Sequence, residues 1–206
     1  MTALDDPPLD EPPIWQAGWY RFARHLRSPN SGPRPADMRP DLVLLHSISL
    51  PPGAYGTGDV QRLFTNSLDW DSHPYFEQIR GLQVSAHFFI GRGGELWQFV
   101  SCDDRAWHAG ASVHRGRTNC NDFSIGIELE GLEGSAFEAA QYESLSGLCA
   151  ALLTAYPVTS LSGHEHVAPG RKQDPGAGFD WAWLERALGL PATCFPPLPF
   201  QKSNDL

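Results

Sequence analysis

The stretch Ser124-Ile-Gly-Ile-Glu-Leu129 changes character at every residue, and a period of two is the signature of a β-strand. Ile125, Ile127 and Leu129 then share one face and Ser124, Gly126 and Glu128 the other, so Glu128 is aimed away from the apolar layer. Upstream, Val84-Ser-Ala-His-Phe-Phe-Ile90, the turn Gly91-Arg-Gly-Gly94 and Glu95-Leu-Trp-Gln-Phe-Val100 read as a β-hairpin whose glycines supply positive φ at the bend. Further upstream, Asp41-Leu-Val-Leu-Leu-His46 is an apolar run of buried-strand length that His46 closes. A Gly/Pro-rich loop over 49–58 follows, with Asp59 as N-cap of a short helix through Leu63 and Phe64. Downstream, Tyr142, Leu145, Leu148, Cys149, Leu152, Leu153 and Tyr156 recur at helical spacing and predict a helix over 137–156. Ser135-Ala-Phe-Glu138 reads as its capping box, and Pro157 stops it. A last helix over 180–188 ends at Gly189. Strands joined partly by a hairpin and mixed with helices predict an α/β (α+β) fold: one mixed central β-sheet flanked by helices.

At 206 residues the chain can bury a sizeable core in one domain, expected over residues 14–190. Residues 1–13, rich in acid and proline, and the Pro-rich residues 191–206 read as tails. Fifteen Lys and Arg against 24 Asp and Glu give a net charge of −9, which argues against nucleic acid or an anionic membrane as partner. No apolar run reaches the roughly 20 residues that a membrane-spanning helix needs. The N-terminus carries acid and proline where a secretory signal would carry basic residues and an apolar core, so a cytoplasmic location is expected. Cys102, Cys120, Cys149 and Cys194 lie far apart, which reads as free thiols in a reduced compartment and excludes a zinc site of paired thiolates. A monomer is expected.

Eight histidines are many for this length, and position sorts them. His46 ends a strand, where α/β sheets present ligands, and His164 follows the short segment Leu161-Ser-Gly163. Ten residues further on, Asp174 stands in Arg171-Lys-Gln-Asp-Pro-Gly176, its backbone restricted by Pro175. Two imidazoles and a carboxylate would make a tetrahedral zinc site with one open position, the pattern of catalytic zinc. His166, two residues from His164, is an alternative ligand, and Glu130 and Glu133 lie close to Glu128. His73 and His87 have no evident chemical role.

Taken together, Leu44-Leu-His46-Ser-Ile-Ser-Leu-Pro-Pro-Gly53, Val84-Ser-Ala-His-Phe-Phe-Ile90, Arg105-Ala-Trp-His-Ala-Gly110, Cys120-Asn-Asp-Phe-Ser-Ile-Gly-Ile-Glu-Leu-Glu-Gly131 and the segments Gly163-His164 and Arg171–Gly176 carry a resemblance. In order, over residues 15–188, they resemble the zinc amidase superfamily that includes peptidoglycan-recognition proteins and phage amidase-type lysozymes. The match is closest to its cytoplasmic anhydromuramyl-peptide amidases of peptidoglycan recycling.

The resemblance implies that His46, His164 and Asp174 bind Zn2+, that Glu128 is the general acid/base and that Lys172 stabilises the transition state. It implies substrate contacts at Trp107 and His108; Asn121 and Arg171 are further expected contacts, since a muropeptide carries carboxylates that a guanidinium can grip bidentately. The expected reaction is hydrolysis of the amide between 1,6-anhydro-N-acetylmuramic acid and L-alanine, with a small muropeptide as substrate. A general wall amidase and a non-catalytic peptidoglycan-binding module are the alternatives.

Overall fold

The computed structural model describes residues 13–197. Six strands form one sheet: β1 (Arg24–His25), β2 (Leu42–Ile48), β3 (Phe88–Ile90), β4 (Leu96–Gln98), β5 (Ser124–Glu130) and β6 (Ser160–Gly163). Their order is β6-β2-β5-β3-β4-β1. β5 is central and runs parallel to β2 and β3, β6 is parallel to β2, and only the β3–β4 hairpin is antiparallel. The mixed sheet read from the sequence is therefore present. Pairing carries β2 two residues past His46, because Ser47 and Ile48 find partners in Leu129 and Glu130.

The face bearing Val43, Leu45, Ile125, Ile127 and Leu129 packs on helix α3 (Ala139–Ala155), through Tyr142, Leu145, Leu148, Cys149 and Leu152, and on α5 (Trp181–Leu188), through Trp181 and Leu184. α5 opens on the Asp180 side chain, which accepts from the Trp183 N–H, and closes at Gly189 with φ 62°. α3 begins later than the sequence pattern predicts. Residues 132–135 instead form a turn held by the Ser135 N–H on the Leu132 carbonyl, and Gly178 lies so close that a Cβ there would sit 2.1 Å from the Ser135 carbonyl oxygen. The cap is formed one turn on, where the Glu138 N–H donates to Gln141 Oε1 at 3.0 Å.

The opposite face is covered by α1 (Asp59–Phe64), α2 (Pro74–Glu77), α4 (His164–Val167) and the long connections between strands. α1 is capped by Gly58, in the left-handed region at φ 79°, and Asp59 falls in its first turn, pairing with Arg62. All seven residues of β5 are buried, so both faces of the sheet are interior.

Residues 191–197 are not a free tail: Phe195 is buried in the main core and Cys194 packs against it. The remainder of that expected tail, and the N-terminal one up to residue 12, lie outside the described residues. All four cysteines are free. No helix among the described residues is long and apolar enough to cross a membrane.

Candidate active site

Because β5 and β2 are parallel and in register, Glu128 lies directly beside His46. Both stand on the face away from α3, at the carboxyl ends of their strands, where open α/β sheets bind ligands. β6 flanks β2 and hands the chain straight into α4, whose first residue is His164. The 118 residues between the two histidines are thereby closed to a 2.9 Å separation of His46 Nδ1 and His164 Nδ1. Asp174 Oδ2 is 3.1 Å from each of these nitrogens. All three residues are buried, and among the described residues this is the group able to hold a metal ion. His166 stays out of it, its Nδ1 accepting from the Gly163 N–H at 3.1 Å.

The donor set suits a cation. Burial pushes His46 down to about 4, leaving a neutral imidazole at pH 7. His164 Nε2 lies 3.0 Å from the Ala109 carbonyl, which can only accept, so the ring proton sits on Nε2 and the Nδ1 lone pair faces His46 and Asp174. That outer bond also orients the ring.

A cavity of about 490 Å³ opens at this group, with Glu128, Lys172, Trp107 and His108 in its lining. Leu50, Leu63, Phe64, Tyr75, Ile79 and Val84 form its apolar wall. Glu128 Oε2 is buried with no hydrogen-bond partner, as is Trp107 Nε1. Burial, reinforced by the nearby Asp174 charge, raises the Glu128 carboxyl well above the ordinary carboxylate range, against the pull of Lys172. Lys172 itself is exposed. Glu130 is not a rival: its two oxygens accept the backbone N–H groups of Gly56, at 2.6 Å, and Arg92, at 3.2 Å. It ties the 49–58 loop to the sheet. Glu133 lines the cavity from an exposed position.

Residues 36–177 match the N-acetylmuramoyl-L-alanine amidase family. The chain belongs to that family. This amidase is 49% identical over 178 residues to the 1,6-anhydro-N-acetylmuramyl-L-alanine amidase AmpD of Citrobacter freundii, covering 85% of the chain and 95% of the relative. A crystal structure of a selenomethionine AmpD derivative superposes with a TM-score of 0.82 at 48% identity, over 84% of this chain and 98% of the other. The Escherichia coli amidase AmiD, solved with the substrate anhydro-N-acetylmuramic acid-L-Ala-D-γ-Glu-L-Lys, matches with a TM-score of 0.52 at 27% identity, over 75% and 60% of the two chains.

Three of the four expected substrate contacts have partners within the amidase itself. Asn121 and Arg171 do not line the cavity. Asn121 Oδ1 accepts the N–H groups of His108 and Ala109, at 3.1 and 2.8 Å, and Arg171 Nη2 donates to the carbonyls of Ala109 and Ala111, both at 2.7 Å. Both hold the peptide that orients His164. His108 reaches the cavity but directs Nδ1 at His46 Nε2, 2.9 Å away. His87, buried behind it, accepts the Gly126 N–H on Nδ1, and burial beside Arg34 pushes it down to about 3. His73 caps α2 by accepting the Tyr75 N–H.

Arg34 is a structural residue that the sequence did not flag. Its guanidinium donates to the carbonyls of Cys102, Asn121, Asp122 and Ser124, fixing the 101–124 connection behind the site. Nothing in the turn-rich segment around it marks such a role, since its partners are backbone atoms far along the chain.

Proposed function

We propose that this amidase hydrolyses the amide bond between 1,6-anhydro-N-acetylmuramic acid and the L-alanine of a stem peptide, in peptidoglycan recycling, with zinc as its metal. The observation that carries the reading is the convergence of His46, His164 and Asp174 beside the unpartnered Glu128 Oε2 in one cavity. The substrate follows the relatives named for the anhydro sugar. Zinc is supported by the donor set: neighbouring ligands of a tetrahedral site with bonds of 2.0–2.1 Å stand roughly 3.3 Å apart, close to the 2.9–3.1 Å found here.

Bound there, zinc supplies Lewis-acid polarisation of the scissile carbonyl and makes water reactive near neutral pH. The chain's own groups do the rest. Glu128 Oε2 takes a proton from the attacking water and delivers it to the departing L-alanine nitrogen, so the C–N bond breaks to a carboxylic acid and a free amine. Its raised proton affinity suits a group that must hold that proton between the two steps. Lys172 stabilises the negative charge that develops on the carbonyl oxygen. Trp107 offers an aromatic face for the sugar or lactyl group and an indole N–H with no other partner. Four unpaired cysteines support a reducing compartment such as the cytoplasm.

The test is to incubate the purified, metal-analysed protein with an anhydromuramyl-tripeptide and, separately, the ordinary muramyl-tripeptide, with and without a chelator. Chelator-sensitive cleavage that favours the anhydro form is expected. Equal cleavage of both would assign a general wall amidase, and binding without cleavage would overturn the enzymatic reading.

A further inference from the structure

The imidazole of His108 is placed to act on the metal site rather than on substrate. The Ser124 hydroxyl lies 2.6 Å from the Cys120 carbonyl, which can only accept, so the one proton of Ser124 is committed there. His108 Nε2 lies 3.3 Å from that same oxygen. With its proton already given away, Ser124 Oγ can meet His108 only as an acceptor, and the His108 ring proton must sit on Nε2. A neutral His108 then presents a lone pair at Nδ1. That nitrogen is 2.9 Å from His46 Nε2, so His46 must carry its own proton on Nε2 and leave Nδ1 bare, facing His164 and Asp174. Direction thus passes from the Cys120 carbonyl through Ser124 and His108 to His46 without ambiguity at any link.

Two further observations show that this arrangement is built. A Cβ on Gly126 would lie 2.5 Å from His108 Nδ1, so the strand keeps a glycine where the ring must pass. The His108 and Ala109 N–H groups are both clamped by Asn121 Oδ1, which fixes the backbone that carries the ring.

We infer that His108 and Ser124 are positioning residues that lock His46 in the tautomer able to ligate a metal through Nδ1. The inference rests on the reading of His46, His164 and Asp174 as metal ligands. On this reading His46 and His164 are held by different means, one by an imidazole relay and the other by the Ala109 carbonyl.

The decisive experiment pairs ring 15N NMR with zinc-binding measurements on the full-length chain. In the wild type, metal-free and zinc-loaded, His108 is expected to show a protonated Nε2 and an acceptor-type Nδ1; a proton on Nδ1 would overturn the inference. Ser124→Ala removes the acceptor of the His108 N–H and should weaken Zn2+ binding, by competition with a chromophoric chelator, by roughly 10- to 100-fold. His108→Phe should lose as much, and His108→Gln, whose amide oxygen can accept from His46 Nε2, should recover part of it. Unchanged zinc affinity in Ser124→Ala, at a melting temperature near that of the wild type, would refute the relay while leaving the metal site standing. Failure of the wild type itself to bind Zn2+ would refute the metal reading instead. Should His108→Phe fail to fold, Ser124→Ala and the NMR measurement still decide.

Discussion

Glu128 and Glu130 project to the same face of one strand and meet different fates. Glu130 is saturated by two backbone N–H donors, whereas one oxygen of Glu128 is buried with none. An unpaired buried carboxylate oxygen is costly, and that cost sets Glu128 apart from Glu130 and agrees with the acid/base role proposed for it. Glu128→Gln keeps the shape but removes the proton acceptor, so turnover is expected to fall by roughly two to four powers of ten with zinc still bound. Steady-state rates with metal analysis check this, and normal turnover would remove Glu128 from the mechanism. Its neighbour Gly126 is constrained by space. Gly126→Ala would bring a Cβ to 2.5 Å from His108 Nδ1, displacing the ring behind His46. Zinc affinity should drop by about tenfold or more while the helical circular dichroism is unchanged; wild-type affinity would show that the ring can yield.

Among the elements, α3 adds to its apolar contact with the sheet a set of hydrogen bonds made by Gln141. Gln141 is fully buried, with Oε1 on the Glu138 N–H and Nε2 on the carbonyls of Ile90 and Glu130, at 3.2 and 3.0 Å. It caps the helix and satisfies the ends of β3 and β5 at once. Gln141→Leu would leave those buried carbonyls without a donor, at a cost of roughly 2–4 kcal/mol in urea denaturation. A change below about 0.5 kcal/mol would mean that water or a local shift replaces the bonds. The sequence placed α3 on its apolar spacing yet began it too early, because Ser135 is a sound N-cap by type while its backbone is taken up by the turn against Gly178.

For the molecule as a whole, the cost of housing a polar site between two apolar layers appears as pH dependence. His87 is buried beside Arg34 and its folded-state value lies near 3, against 6.5 in the unfolded chain. Between these values the unfolded state binds the extra proton, so stability is complete above about pH 6.5 and declines as pH falls. The slope is up to ~1.4 kcal/mol per pH unit for this group alone. Burial lowers His46 and His108 in the same sense, while the raised Glu128 opposes them. The trend is therefore read most directly in metal-free Glu128→Gln protein, whose denaturation free energy should decrease from pH 7 to pH 5. A flat profile would show that these imidazoles can charge within the fold.

Local information was enough for the strand at 124–129, the hairpin, the two long helices and the apolar half of the sheet, because periodicity, glycine turns and caps are properties of neighbours along the chain. The candidate residues His46, His164, Asp174 and Glu128 could be named from type, position and resemblance. Their convergence could not, since it depends on parallel register across β6, β2 and β5, which brings together atoms 118 residues apart. Tertiary structure alone decided which polar residues line the cavity and which are held by other groups of the chain. His108, Asn121 and Arg171 carry groups equally able to grip a muropeptide, and what gives each of them partners within the chain is the set of carbonyls, amides and rings that the fold brings within 3.5 Å. A hydrogen bond is won by whichever partner the backbone delivers first to that distance, and long-range packing makes that delivery.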